Sequence, residues 1–220
     1  MRRAGAALAV LFLGLGLLAA GAAAQDRSVL TREQALADMK EPDLETRRRA
    51  TAWLGEVGVL ADAPVLIGAL TDADEVVRTL AEHSVWQVWG RSGDAEADEL
   101  LQTGIEQMSR GDGPAAVDTF TKAIQRKPDF AEAWNKRATV HFLMGEHEQS
   151  IKDCDEVMKR NPAHFGALAG YGQIYLQLDQ PERALGYFRR ALRVNPNMRG
   201  VEQIIPQLEQ LLAERRKGTI

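Results

Sequence analysis

The chain has 220 residues, 45% of them hydrophobic and 26% charged, with one Cys and a formal net charge of −4. That is too apolar for a disordered chain. A single Cys excludes an intrachain disulfide framework, and the acidic balance argues against general electrostatic binding to nucleic acid or anionic lipid.

Arg2 and Arg3 open the chain, and an apolar run follows from Ala4 to Ala24. The small residues Ala22, Ala23 and Ala24 stand before the polar Gln25 and Asp26, which is the pattern of a signal-peptidase site. Residues 1–24 therefore read as a secretory signal peptide cut after Ala24, with no Cys at the cut for a lipid anchor. The expected location is periplasmic or secreted, without membrane insertion after cleavage. By length alone the run also reaches across a bilayer, so an uncleaved tether is the alternative.

Residues 25–96 carry a short, weak repetition. Asp43 and Arg47 are four apart, as are Asp74 and Arg78, and the two pairs are offset by 31 residues. Ala50 matches Ala81 and Leu54 matches Val85. Thr31-x-x-Gln34 is a capping-box signature ahead of the first pair, and the apolar run Pro64–Leu70 stands ahead of the second. Two helical hairpins are predicted. Trp53, Trp86 and Trp89 make the segment rich in aromatics. Trp86 and Trp89 share a helical face, where they either pack the hairpin or stand exposed as an anchor for a partner. Gly90 to Ala95 reads as a hinge.

From Ala97 to Met198 the chain repeats with a period of 34. Pro128, Pro162 and Pro196 mark it. The columns Ala116/Ser150/Ala184, Phe120/Cys154/Phe188, Ala123/Val157/Ala191, Gly104/Ala138/Gly172 and Leu100/Trp134/Leu168 keep step with the prolines. Small residues belong where two helices of a hairpin approach closely, and large apolar ones fill the space between hairpins. Gly111–Pro114, Gly145-Glu146 and Asp179–Pro181 are turn signals, and the residue before each marker proline is pushed out of the helical region. The spacing predicts helices over 98–110, 114–127, 131–144, 147–160, 165–178 and 181–194. Val201, Ile204, Ile205, Leu208, Leu211 and Leu212 form one apolar stripe, so 199–220 reads as a capping helix, with a kink or restart expected at Pro206.

These six columns in three successive copies, 97–130, 131–164 and 165–198, resemble the tetratricopeptide repeat. The Asp/Arg pairs of 25–96 more weakly resemble HEAT-type hairpins, in which such pairs tie neighbouring repeats. The resemblance implies an all-α, right-handed α-solenoid: a HEAT-like pair, three repeats and a cap. It also implies a protein or peptide partner held in the groove formed by the first helix of each hairpin. Projecting those helices gives Leu101, Ile105, Met108, Asn135, Lys136, Thr139, Phe142, Gln173 and Leu176 as the groove set. Some members of the family clamp a C-terminal carboxylate. Here that set falls on Leu101, Ile105, Lys136, Gly166 and Gly170, of which only Lys136 is cationic, so the clamp is not expected. Alternatively, these residues pack against the chain's own N-terminal half.

Signals for chemistry are few. Gly14-Leu15-Gly16 imitates a dinucleotide loop but lies in the leader with no strand before it. His83, His141, His147 and His164 lack the spacing of a helical zinc site and read as surface or groove residues. Cys154 sits in a packing column, which points to a small buried hydrophobe. The acidic clusters around Asp74 and Asp94 suit helix N-termini. The expectation is a non-catalytic interaction module with no cofactor and no metal, its oligomeric state open. A membrane-tethered assembly component of a cell envelope is the alternative.

Overall fold

The computed structural model describes residues 30–218, and the leader expected over 1–24 lies outside them. Within the described residues there are eleven α-helices and one short 3₁₀ turn, with no strand. No helix among them is long and apolar enough to cross a membrane.

The N-terminal half is two hairpins: α1 (Arg32–Asp38) with α2 (Leu44–Val57), then α3 (Ala63–Ala69) with α4 (Glu75–Trp89). Side chains start these helices where the sequence places Thr and Asp. Thr31 and Gln34 form the expected capping box, and Asp43 and Asp74 accept from the N–H groups of Thr46 and Val77, each satisfying an orphan donor of the first turn. The repeated arginines do reach across hairpins. Arg47 grips Asp72, and the adjacent Arg48 donates Nε and Nη2 to Asp74 at 3.0 and 2.8 Å. The Arg48 guanidinium and the Val77 amide hold the Asp74 carboxyl down at about 2.

Three hairpins follow: α5 (Ala95–Ser109) with α6 (Gly113–Arg126), α7 (Ala131–Leu143) with α8 (His147–Arg160), and α9 (Phe165–Gln177) with α10 (Pro181–Val194). Five of the six helices run within two residues of the repeat-based bounds at both ends, and α5 begins three residues early. The turns between paired helices share one backbone shape. Gly111 and Gly145 have φ of 78° and 77°, and the third copy places Asp179 there at φ 52°. That left-handed region suits glycine and is tolerated by Asp.

Close approach within the hairpins depends on the absence of a side chain. A Cβ on Gly104 would stand 2.5 Å from the Phe120 ring, and one on Gly172 would stand 2.3 Å from the Phe188 ring. Both rings are fully buried. In the middle copy the same pair is Ala138 with Cys154, both buried, and burial pushes the Cys154 thiol up to about 12. It occupies the packing position that Phe120 and Phe188 hold in the other copies.

The last helix, α11 (Arg199–Gly218), packs against α10 with Val201, Leu208 and Leu212 buried. It runs unbroken through Pro206, so no second segment starts there. Buried anchors on both sides of the proline hold the helix to α10, and the proline itself faces solvent.

The hinge expected at Gly90–Ala95 is a pinned connector. Ser92 N–H and Oγ both donate to Asp98 Oδ1, at 2.7 and 2.6 Å. Arg91 donates to the carbonyls of Gly55 and Gly58, and Asp94 caps α5. The halves also meet far from the connector. Phe165, at the start of α9, belongs to the N-terminal core, with Val194 and Met198 packed beside it. Arg78 Nε donates to Asn197 Oδ1 at 3.1 Å, Asn197 Nδ2 donates to the Leu70 carbonyl at 2.8 Å, and Arg199 pairs with Glu75. The N-terminal pair thus sits on the third repeat as well as leading into the first.

Candidate binding groove

The first helices of the three hairpins, α5, α7 and α9, supply the candidate surface. Between α7, α8 and α9 lies a cleft of about 260 Å³. Ala138, Cys154 and Gly170 line it, with Phe142 and Ile174 as apolar walls, and every side chain lining it is uncharged. A Cβ on Gly170 would meet only the Cys154 sulfur, at 3.9 Å. The space therefore lies where the middle repeat carries a thiol and α9 carries glycine, in place of a ring and a side chain.

The polar groups at the cleft are partly committed to the fold. Thr139 Oγ1 donates to the Asn135 carbonyl at 2.9 Å and Ser150 Oγ to the Ala138 carbonyl at 2.7 Å. Asn135 Nδ2 donates to Glu132 Oε2 at 3.1 Å. Gln173 is exposed at the mouth. Amide and hydroxyl groups of this kind match the alternating donors and acceptors of a peptide backbone.

Of the nine groove residues read from the sequence, Asn135, Thr139, Phe142 and Gln173 line this cleft together. The others do not. Leu101 is 1% exposed and belongs to the core of the first hairpin, with the backbone at Gly90 against it. Its assignment to the groove is corrected. The helical wheel of α5 alone cannot register that Leu101 shares a core with Phe120, Phe130 and Val140. Ile105 and Met108 are half-buried against the same core, and Leu176 against the core of the third hairpin. Lys136 stands at the seam between the halves. Its Nζ pairs with Glu132 at 3.0 Å and lies 5.5 Å from the centre of the Trp86 ring. Phe142 is half-buried, with one side against the core that α9 and α10 share. Thr139 and Gln173 are thus the exposed members of the cleft set.

Trp86 and Trp89 pack in the core of the N-terminal half, as one of the two readings expected, and from there reach across to the repeats. Trp86 meets Phe165 edge-on at 5.1 Å, and a Cβ on Gly166 would stand 2.5 Å from its ring. Of the carboxylate-clamp positions, Leu101 is buried and Gly166, at the edge of the cleft, has no room beside Trp86 for a side chain. Trp89 stacks on His164 at 4.3 Å. His164 is fully buried, which corrects its reading as a surface residue, and its Nε2 lies 2.9 Å from Glu132 Oε2. Burial pushes the Glu132 carboxyl up, yet the His164 hydrogen bond and the Lys136 charge outweigh it and hold the group below the usual range. Sequence reasoning missed this quartet. The signal was present: His164 shares a 34-residue column with Phe130 and Met198, so a polar ring falls in an apolar column.

A larger cleft of about 400 Å³ follows the seam, between Pro64 and Ile67 of α3 and Asp129 and Arg160 of the repeats, with Trp89 and Glu132 at its base. Among the described residues no group of His, Cys, Asp and Glu is placed to hold a metal ion.

Known proteins share the C-terminal part of this architecture. A family model described as tetratricopeptide repeat matches residues 129–197. A TPR repeat-containing protein of Rhizobium etli is 35% identical over 128 residues, covering 58% of this chain and 63% of that protein. Hsp70-Hsp90 organizing protein 1 of Glycine max is 25% identical over 118 residues, covering 52% of this chain and 21% of that protein. The chain thus spans less than two thirds of the length of these curated relatives. Among solved structures, the first TPR of Spaghetti (RPAP3) bound to the HSP90 peptide SRMEEVD has a TM-score of 0.52 at 23% identity, covering 54% of this chain and 94% of that one. That likeness shows the fold.

Proposed function

We propose, for a chain that carries tetratricopeptide repeats, that it is a non-catalytic protein–protein interaction module holding an extended segment of a partner protein in the cleft between α7 and α9. The observation that carries this reading is the uncharged lining of the cleft. A cavity of about 260 Å³ with apolar walls and an amide-bearing mouth suits one or two aliphatic side chains, flanked by a backbone that Gln173 and Thr139 hydrogen-bond. The neighbour named above holds an acidic peptide. Here the clamp positions are Leu101, Ile105, Lys136, Gly166 and Gly170, the first is buried and the fourth lies under Trp86. A peptide ending in acidic residues is therefore not the ligand we propose.

The same reading places the mature protein outside the cytoplasm, on the strength of the Arg2–Ala24 leader pattern. A tether retained at the N-terminus would make it instead a fixed part of an envelope assembly. Intact mass of the protein recovered from its host compartment separates the two: loss of residues 1–24 supports export in free form, and their retention supports the tether.

The groove is tested by a photo-crosslinking amino acid at Gln173, compared with the same protein carrying Gly170→Leu. The space beside Gly170 accepts the new side chain, and replacing a helical glycine favours the fold. The expected result is a discrete crosslinked partner in the first protein and none in the second, with equal helicity. Equal crosslinking in both would overturn the groove.

A further inference from the structure

His164 closes the seam between the halves in a way that depends on its protonation. Its Nδ1 accepts the Ala167 N–H at 3.1 Å and so caps α9. A ring nitrogen that accepts carries no hydrogen, so the neutral imidazole has its proton on Nε2, which donates to Glu132 Oε2. That oxygen also accepts from Asn135, and Glu132 Oε1 pairs with Lys136. From the other half, Trp89 stacks on the ring with planes 18° apart, and Trp86 meets it edge-on at 5.6 Å.

The charged groups facing this ring come from α7: Glu132 and Lys136. From α4 it meets the two indoles. Asp129 and Arg160 border the adjoining cleft. Arg160 is held by Glu156 and by the Pro128 carbonyl.

We propose that this seam is a proton-operated latch, in which a second proton on His164 loosens the contact of Trp86 and Trp89 with the start of α9 while both halves keep their helices. The second proton has one place to go, Nδ1, where the Ala167 N–H already points. An imidazolium there loses the cap and sets two N–H groups against each other, so the ring must turn, and turning unseats Trp89. Glu132 attracts the imidazolium, but its charge is already matched by Lys136 in the closed seam. The Glu132 carboxyl is held below the ordinary range, so it stays ionised where histidine changes charge and its contribution to the seam is lost only at lower pH.

The test is ¹⁹F NMR of the full chain labelled with 5-fluorotryptophan, titrated from about pH 8 to about pH 5, the range in which histidine changes charge. The Trp86 and Trp89 signals are expected to move together, reversibly and with one midpoint. Those of Trp53, which donates to the Leu30 carbonyl, and of Trp134, which lies under Arg137 and Arg160, should move less, and far-ultraviolet circular dichroism should not change. In His164→Asn, which keeps a capping side chain that does not titrate, both seam signals should be flat. Flat seam signals in the wild type would overturn the proposal whatever the variant does. So would an unchanged midpoint in His164→Asn, or loss of helicity at the same pH. If the Asn variant does not fold, Glu132→Gln serves instead: removing the carboxylate charge should move the midpoint by about one pH unit, and an unmoved midpoint counts against the latch.

Discussion

The middle repeat and its two neighbours solve the same packing problem differently. In the first and third hairpins a glycine faces a buried phenylalanine, Gly104 with Phe120 and Gly172 with Phe188. In the second, Ala138 faces Cys154. The backbone turns are the same, as Gly111, Gly145 and Asp179 show, but the ring is missing, and the cleft lies at that place. A repeat protein can thus open a cleft without changing its helices, by replacing one large side chain in a shared column with a small one.

The largest expected contrast is between the members of that column. Phe188→Ala should cost about 3–5 kcal/mol, since it empties a fully buried ring site, while Cys154→Ala should cost about 1 kcal/mol, because little volume is lost beside an existing cleft. Chemical denaturation of the two variants reads the difference, and equal losses would mean that the middle repeat is packed like its neighbours.

Glycine substitutions come next. Gly172→Ala places a methyl group against the immobile Phe188 ring and should cost about 1–3 kcal/mol by overpacking. Gly170→Leu, two residues away on the same helix, should leave stability unchanged or raise it by about 1 kcal/mol. Thermal melts that ranked these two in the opposite order would place the cavity elsewhere.

The smallest effect concerns the third turn. Asp179→Gly relieves a left-handed residue but gives up the ion pair with Arg215. An exposed pair contributes roughly 0–1 kcal/mol, so the net change should stay within about 0.5 kcal/mol of zero. A loss above about 1 kcal/mol would give that ion pair a larger role in holding α11.

How much of this could be read from the sequence depended on distance along the chain. The 34-residue columns speak about neighbours, and they located α6 to α10 within two residues at either end because the small, large and turn positions recur. They are silent about contacts between segments that share no period. Trp86 reaches Phe165 and Gly166, and Arg78 reaches Asn197, across the whole repeat array. No projection of α5 alone shows that Leu101 shares a core with Phe120, Phe130 and Val140, so four of the nine groove residues fell on the cleft and Leu101 fell in the core. At Pro206 the restart that local propensity allows does not occur, because burial of Val201, Leu208 and Leu212 on either side keeps one helix. Cys154 and His164 were visible as exceptions in their columns. One marks the cleft and the other the seam between the halves.

The claim that the cleft exists because the middle repeat lacks its ring is tested most directly by restoring the neighbours' pair, Ala138→Gly with Cys154→Phe, in the protein carrying the photo-crosslinker at Gln173. The glycine makes room for the ring, as Gly104 and Gly172 do for theirs, so the double variant should fold with wild-type helicity. The account expects its cleft to be filled and its partner crosslink to fall to background. A well-folded double variant that still captures the same partner at the wild-type level would contradict it.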